Sequence, residues 1–353
     1  MQYFIIPDLD GPMSGGTLYN RLLIAALRKT ACACEVLPIA RAAMALARAT
    51  GTGSYWVDSL YLDQLPHLAK VARPGTRMGL IVHYLPSLIS HGEGIGPEDL
   101  TVPEMAALRT AMMFLVPSSF MRGILLRLVG PVRPVLQVEP GRPLPPSSFP
   151  PNPPVRAIVV ANLVVGKGVE RFLASLTEQI GEMDGLHVNI VGGGPDPACA
   201  ERCQALARNP RLRSRVRFWG EQSPEQTLRV MAASNVLVSC SAMESYGMAL
   251  MEARVLGIPI LAQRGGHVAA MVGPDSGGEL FGNAAELVAT LVGIARDSAA
   301  HCRRMELARA RALSARPWSE AACEFVSQVA KLDKNAWPDQ GEPSTHEGLN
   351  CVG

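Results

Sequence analysis

Short apolar runs alternate with longer amphipathic stretches along this chain of 353 residues, and this alternation restricts its fold more than any other feature. Phe4-Ile5-Ile6 has the length and bulk of a buried strand, and residues 17–28 (TLYNRLLIAALR) carry apolar side chains at helical spacing. The pair Gly15-Gly16 separates the two segments. Because strand–helix–strand repeats build parallel sheets covered by helices, the chain is predicted to be an α/β protein.

A proline-rich segment divides the alternation into two halves. Residues 131–154 contain ten prolines, so this segment is expected to be a linker and neither a helix nor a central strand. A second series then begins, with residues 156–161 as a strand and residues 168–179 as a helix. The length suits two domains of about 150 residues each. We predict Rossmann-like domains over residues 1–148 and 149–316, an amphipathic helix over 317–335 and a disordered tail over 336–353.

Charge and composition argue against several classes of protein. A net charge of +2 without a basic face gives no reason to expect nucleic-acid binding. The eight cysteines show no C-x-x-C pair, which is typical of reduced thiols and predicts a cytoplasmic protein. The first ten residues read as a strand and not as a signal peptide. No apolar run approaches the ~20 residues of a membrane-spanning helix, although peripheral contact with the inner face of a membrane stays open.

The segment ESYGMALME, residues 244–252, places two glutamates around the start of a predicted helix near Gly247. The backbone amides of residues 245–248 would then lack helical partners and form a ready site for an anion. Glu244, these amides and Glu252 would meet a polyhydroxyl group, a diphosphate and a ribose in that order, which are the parts of a sugar nucleotide. The alternative is that Glu244 helps to cap the helix and Glu252 is a solvated helix residue.

The surroundings of these glutamates resemble the retaining glycosyltransferases of family 4, whose signature is a Glu, seven residues and a second Glu. The shared positions are Ser241, Glu244, Tyr246-Gly247, Glu252-Ala253, Gly257-Ile258-Pro259 and Gly265-Gly266. The resemblance implies the GT-B fold, in which two Rossmann-like domains with parallel sheets face each other across a cleft. The first domain would then hold the acceptor and the second the nucleotide-sugar donor, and the helix at 317–335 would cross back to the first domain.

The same resemblance implies a role for each matching residue. The donor would be bound by Gly15, Gly16, Asn162, Lys167, Gly194, Glu244, Ser245, Tyr246, Gly247, Met248 and Glu252, and catalysis would depend on His83, Lys167 and Glu244. Within this set, Lys167, the amides of 245–248 and the Gly15-Gly16 turn would face the diphosphate. Glu244 would bind sugar hydroxyls and Glu252 the ribose. His83 would contact the sugar from the first domain; without the resemblance it would be interpreted as a buried core histidine.

Lys167 lies in ANLVVGKGVERF, for which two interpretations compete. A Walker A loop would require glycine at Ala161 and Ser or Thr at Gly168, so a P-loop is not expected. In the family pattern an arginine five residues before the lysine joins it on the diphosphate, but Asn162 stands in that place. One positive charge is therefore expected where the family has two.

The resulting expectation is a retaining glycosyltransferase that needs no metal and no cofactor. The donor would be a UDP- or GDP-linked sugar, and the acceptor a small molecule, a glycan or a lipid-linked molecule. Two other functions are compatible with the same nucleotide-binding half: a GT-B sugar-nucleotide epimerase, and a catalytically silent subunit that binds nucleotide sugars. A metal site at His91 and Glu93 is not expected, because a lone His and Glu in a glycine loop is typical of a loop.

Overall fold

The computed structural model describes residues 1–9, 11, 13–48, 53–143, 154–181 and 185–334. Within these residues the chain forms two sheets of six strands each. Every neighbouring pair of strands in both sheets is parallel. The predicted α/β architecture with two Rossmann-like halves is therefore confirmed.

The first half orders its strands β2-β1-β3-β4-β5-β6. The strands are β1 Gln2–Ile5, β2 Cys34–Val36, β3 Ser54–Asp58, β4 Arg77–Ile81, β5 Met113–Val116 and β6 Val135–Gln137. The helices are α1 Gly15–Leu27, α2 Ile39–Arg48, α3 Leu65–Val71, α4 Pro86–His91, α5 Val102–Thr110 and α6 Ser119–Val129. The central strands β3 and β5 are buried along their whole length, as expected for a sheet covered by helices on both faces.

The second half orders its strands β12-β11-β10-β7-β8-β9. The strands are β7 Val155–Val160, β8 Leu186–Val191, β9 Val216–Gly220, β10 Val236–Ser239, β11 Ile260–Gln263 and β12 Glu279–Phe281. The helices are α7 Val169–Gln179, α8 Pro197–Ala207, α9 Pro224–Ala232, α10 Met248–Val255, α11 Val268–Met271, α12 Ala284–Arg296, α13 Ser298–Ala310 and α14 Trp318–Lys334. The predicted strand and helix after the proline-rich segment correspond to β7 and α7.

Each sheet contains one point at which the chain reverses its direction of travel across the sheet. The reversal lies between β1 and β3 in the first half, and between β7 and β10 in the second. Neighbouring loops leave such a point toward opposite faces of the sheet, which opens a crevice at the carboxyl ends of the strands. The loops that follow these strands are therefore the expected position of a binding site.

Helix α14 follows the second half in sequence but packs against α1 of the first half. Its Phe325 is fully buried, with ring centroids 5.9 Å from Phe4 and 5.6 Å from Trp56. Gln328 Nε2 also donates to the carbonyl oxygen of Gln137 at 2.6 Å. The last helix thereby completes the core of the first half and connects the two halves.

The proline-rich segment contains more structure than the sequence predicts. Strand β6 lies inside residues 131–154, where a linker was expected. Proline is compatible with this position because β6 is an edge strand, where one side of the backbone needs no partner. The boundary at 148/149 and the tail at 336–353 lie outside the described residues.

Candidate functional site

Two connected cavities lie between the halves, at the carboxyl ends of the strands. Cavity A has a volume of about 190 Å³ and lies against α10 and the ends of β7 and β10. Cavity B has a volume of about 370 Å³ and extends toward the end of β4. Both are lined by Ser14, Gly15, Asn162, Lys167, Glu244, Gly247 and Met248. Five of these seven residues follow β7 or β10 or precede α1, and Gly15 and Met248 begin α1 and α10, so the site is built from strand ends and helix starts.

Lys167 and Glu244 face each other where the two cavities meet. Lys167 Nζ donates to Glu244 Oε1 at 2.6 Å. Gly168 follows with a φ of 67°, and a Cβ there would lie 2.2 Å from the carbonyl oxygen of Cys240. Only glycine therefore lets the loop after β7 approach the loop after β10 so closely. This approach brings the two predicted site residues together as an ion pair.

The start of α10 presents backbone amides beside this ion pair. Gly247 precedes the helix with a φ of 87°, a conformation that glycine adopts without strain. Within the described part of the chain, the N–H groups of Ser245, Tyr246, Gly247 and Met248 have no hydrogen-bond acceptor. The carbonyl oxygen of Ser245 instead accepts from Ser118 Oγ of the first half at 2.5 Å. The open amides that the sequence predicts are thus present, and the first half closes one side of them.

Glu252 lies one helical turn after Met248 and lines cavity A. Burial raises the pKa of its carboxyl to about 7, because the surrounding protein removes water from the charged form. No hydrogen bond or ion pair joins the Glu252 carboxylate to any described residue. The side chain is therefore not the solvated helix residue of the alternative interpretation, and its oxygens are open to a ligand that donates hydrogen bonds.

His83 follows β4 and is held from the first half by Asn20 and Asp58. Asn20 Nδ2 donates to Asp58 Oδ2 at 2.5 Å, and the other amide atom, Oδ1, lies 2.9 Å from His83 Nε2. Since Asn20 Oδ1 can only accept, His83 carries its proton on Nε2. Burial lowers the pKa of His83, and the nearby Asp58 carboxylate opposes that shift in part. His83 is therefore a neutral, fixed imidazole that lines cavity B.

Gly16 allows this arrangement of His83. A Cβ at Gly16 would lie 2.9 Å from His83 Cγ, closer than a Cβ normally approaches another carbon. The Gly15-Gly16 turn thus lets the start of α1 pack directly on the imidazole. Gly15 lines both cavities and Gly16 lines cavity B.

Asn162 occupies the position where the family pattern has an arginine, and both atoms of its amide are engaged by protein. Its Oδ1 accepts from Gly193 N at 3.0 Å, and its Nδ2 donates to the carbonyl oxygen of Met13 at 3.1 Å. Met13 N in turn donates to Glu221 Oε1 at 2.8 Å. Asn162 therefore lines both cavities but also ties the first half to the second.

Gly194, which the resemblance places in the donor-binding set, lies outside both cavities, and so does Trp219. A Cβ at Gly194 would lie 2.9 Å from Ala200 Cβ, so this glycine serves the contact with α8. Trp219 donates to Asn189 Oδ1 at 2.9 Å and stacks under the Arg217 guanidinium, 3.8 Å from the ring centroid. For Trp219 the structure favours packing over contact with a base. The neighbouring Gly192 and Glu221 line cavity A instead.

The sequence prediction missed three polar residues of the site: Asn20, Asp58 and Glu221. Asp58 ends the fully buried strand β3 (SYWVD), and a polar residue at the carboxyl end of such a strand is a usable signal. Asn20 is a polar residue on the buried face of α1, which is also detectable. Asp58 was missed because β3 itself was not identified, and with it the partner that Asn20 holds. Glu221 accepts a hydrogen bond from Met13 N of the first half, and no local sequence pattern indicates this contact.

Neither a metal-binding cluster nor a membrane-spanning helix is found among the described residues. Among them, no group of three or more His, Cys, Asp or Glu side chains is arranged to hold a metal ion. This includes His91 and Glu93, and Glu93 Oε1 instead accepts from Gly266 N at 2.8 Å across the cleft. None of the described helices is both long enough and apolar enough to cross a bilayer.

Both sequence relatives and solved structures are similar to this chain. Residues 154–297 match the family described as Glycosyl transferases group 1. The D-inositol 3-phosphate glycosyltransferase of Corynebacterium diphtheriae is 33% identical over 122 residues, and that of Corynebacterium efficiens is 32% identical over 134 residues. These segments cover 33% and 36% of this chain but only 29% and 31% of the relatives.

Solved structures match over nearly the whole chain. The sucrose-phosphate synthase of Thermosynechococcus elongatus has a TM-score of 0.72 at 18% identity, covering 94% of this chain and 99% of that one. Anabaena HepE in complex with UDP-glucose has a TM-score of 0.69 at 16% identity, covering 94% and 100%. The fold is therefore GT-B, as the sequence predicted. The match to the Glycosyl transferases group 1 family lies in its second half.

Proposed function

We propose that this protein is a retaining glycosyltransferase that moves a sugar from a UDP- or GDP-linked donor to an acceptor hydroxyl without a bound metal. One observation carries the proposal. Lys167, the open amides at the start of α10 and the partnerless carboxylate of Glu252 line cavity A together. The Lys167 cation suits the phosphate next to the sugar, and the open amides suit the diphosphate. The Glu252 carboxylate suits the ribose hydroxyls of a sugar nucleotide.

Each residue has a role in the proposed reaction. Lys167 and the amides of Ser245–Met248 stabilise the negative charge of the departing diphosphate, where preorganised donors are most effective. Glu244 binds sugar hydroxyls, which replace Lys167 as its partner when the donor enters. Glu252 binds the ribose diol, and His83 contacts the sugar from the first half.

The family pattern and the carboxylates of the site support the retaining outcome. Asp58 is held by Asn20 and by the Leu60 N–H at 2.8 Å, Glu244 pairs with Lys167, and Glu252 lies beyond the diphosphate position. None of the three is placed as a covalent nucleophile. In the proposed front-face displacement the acceptor oxygen replaces the phosphate oxygen on the same face of the sugar, and the acceptor proton passes to the leaving phosphate.

The test is a transfer assay with purified protein and a panel of UDP- and GDP-linked sugars, with and without EDTA. We expect nucleotide release and sugar transfer to persist in EDTA, because Lys167 and the helix amides replace a metal at the diphosphate. NMR of the product should show the anomeric configuration of the donor. Complete loss of activity in EDTA, restored by Mg²⁺ or Mn²⁺, contradicts the metal-independent site, and an inverted product contradicts the retaining mechanism.

One observation favours a second candidate, a silent subunit that binds nucleotide sugars. Asn162 uses its amide between the halves and brings no charge to the diphosphate, which leaves Lys167 as the one Lys or Arg lining either cavity among the described residues. If the protein binds a nucleotide sugar tightly but does not cleave it with any acceptor tested, the silent subunit is the supported function.

Glu252 predicts a specific dependence of donor affinity on pH. Ribose hydroxyls donate to the ionised carboxylate, and its pKa of about 7 means that it is mostly protonated at pH 6 and mostly ionised at pH 8. We therefore expect the affinity for a nucleotide sugar to be about tenfold lower at pH 6 than at pH 8. Glu252→Gln should bind more weakly and with little dependence on pH.

Isothermal titration calorimetry measures this dependence. A nucleotide sugar is the appropriate ligand because its diphosphate is a diester that does not titrate in this range. Wild-type affinity that stays constant from pH 6 to pH 8 would remove Glu252 from the ribose site.

A further inference from the structure

We infer that the acceptor is an uncharged alcohol with an apolar body, which lies in cavity B and presents its hydroxyl beside His83. This inference rests on the proposed function and narrows it to one class of acceptor. The structural basis is that exposed apolar side chains line the half of cavity B that faces away from α10, and that this half contains no side chain suited to a phosphate.

The first half contributes a largely apolar wall to cavity B. Its members are Tyr19, Leu60, Tyr84, Leu88, Ile89 and Pro117. Leu60 and Ile89 are 48% and 47% exposed, although most large apolar side chains of this half are buried. Exposed apolar side chains that line a cavity continuous with a polar site are a common feature of ligand pockets. The apolar body of a substrate would cover them.

The charges of cavity B do not suit an anionic acceptor. The described chain includes all 33 lysines and arginines, since the stretches outside it contain neither residue type. Lys167 alone among them lines cavity B, and it pairs with Glu244 on the donor side. At the acceptor end stand the neutral His83 and the Asp58 carboxylate, which would repel a phosphate. Phosphate recognition normally uses arginine or lysine.

Arginines of the first half near this region are engaged elsewhere. Arg127 Nη2 donates to the carbonyl oxygen of Glu93 at 2.5 Å, and Arg133 donates to the carbonyl oxygen of Leu108. Neither lines a cavity. We therefore expect this chain to differ from the corynebacterial relatives, whose names specify inositol 3-phosphate.

The experiment compares glucosides that differ in the attached group with two phosphorylated polyols. Methyl, phenyl and n-octyl β-D-glucoside offer the same hydroxyls with increasing apolar area, and glucose 6-phosphate and inositol 3-phosphate add a phosphate. We expect kcat/KM for phenyl or octyl glucoside to exceed that for methyl glucoside by about tenfold or more, on the scale of burying a few CH₂ groups. A preference for phenyl indicates a compact aromatic acceptor, and a preference for octyl indicates a lipid alcohol.

A charge-introducing variant tests the position of the acceptor. Ile89→Arg should lower the ratio of kcat/KM for apolar acceptors to kcat/KM for phosphorylated acceptors by tenfold or more, because it places a cation on the apolar wall. Val102→Arg is the matched control, since Val102 is also an exposed apolar residue of the first half, is 84% exposed and lines neither cavity. It should leave that ratio unchanged.

Calorimetric binding of phenyl glucoside and glucose 6-phosphate supplies a readout that needs no turnover. Tighter binding of phenyl glucoside, weakened in Ile89→Arg, supports the inference even if no donor is cleaved. If the phosphorylated acceptors are used or bound as well as the apolar acceptors, or better, the inference is overturned. Donor cleavage with no preference for apolar acceptors also overturns it but leaves the proposed function intact. Failure to bind or cleave any nucleotide sugar contradicts the proposed function alone.

Discussion

Lys167→Ala is expected to slow sugar transfer by ~10²–10³-fold, on the scale of losing one preorganised donor in an active site. Lys167 is the one lysine or arginine that lines either cavity in the described part of the chain, so its removal leaves the departing diphosphate to backbone dipoles alone. The effect should appear mainly in kcat, because the charge on the leaving oxygen develops as the bond breaks. Steady-state kinetics with a saturating donor measure it.

Two variants serve as controls for this result. Lys70→Ala removes an exposed lysine of α3 and should change nothing. Asn162→Ala removes two hydrogen bonds but no charge, so its effect on turnover should be smaller than that of Lys167→Ala by an order of magnitude or more. Folding is checked by thermal denaturation. A folded Lys167→Ala protein with wild-type turnover would show that Lys167 is not part of the catalytic site.

Glu244→Gln is expected to change turnover and nucleotide binding in opposite directions. The glutamine keeps the size of the side chain and can still accept a hydrogen bond, but it removes the charge that pairs with Lys167 at 2.6 Å. Turnover should fall by ~10–100-fold, because one charge-assisted contact with the sugar is lost. The affinity for a bare nucleoside diphosphate should rise severalfold, because Lys167 becomes free to bind the diphosphate.

Glu252→Gln provides the contrast for this prediction. It removes a carboxylate from the proposed ribose position without touching Lys167, so it should weaken binding of the bare nucleotide. Calorimetry of both variants with UDP and GDP separates the two roles. If both variants bind the nucleotide as wild type does, the assignment of Glu252 to the ribose is wrong.

Several elements of the fold could be predicted because their signals are local. The helical spacing of residues 17–28 corresponds to α1, and the apolar run at 156–161 corresponds to β7. Strand β3 was not predicted, although it is central, because SYWVD is too short to show a period. Strand β6 was not predicted because prolines flank it, and the sequence could not show that it would be an edge strand.

The residues of the site also divide into those that local motifs indicate and those that depend on distant contacts. The glutamates at 244 and 252 and Lys167 were identified from motif spacing, and the cavities contain all three. Asn162 was expected beside the diphosphate, yet its amide is committed to Gly193 and Met13. That commitment depends on a residue 149 positions away in the chain. No pattern within the segment ANLVVGKGVERF could have indicated it.

The sequence by itself determined the α/β class, the division into two halves and the candidate residues of the proposed diphosphate and ribose positions. These follow from short-range periodicity and from glycines whose conformations the backbone requires. Only the tertiary structure decided that Lys167 pairs with Glu244, that burial keeps His83 neutral beside Asn20 and Asp58, and that one wall of cavity B is apolar. Each of these depends on side chains distant in sequence and on the water that their approach excludes, and both are set by how the loops of the two halves meet at the ends of their sheets.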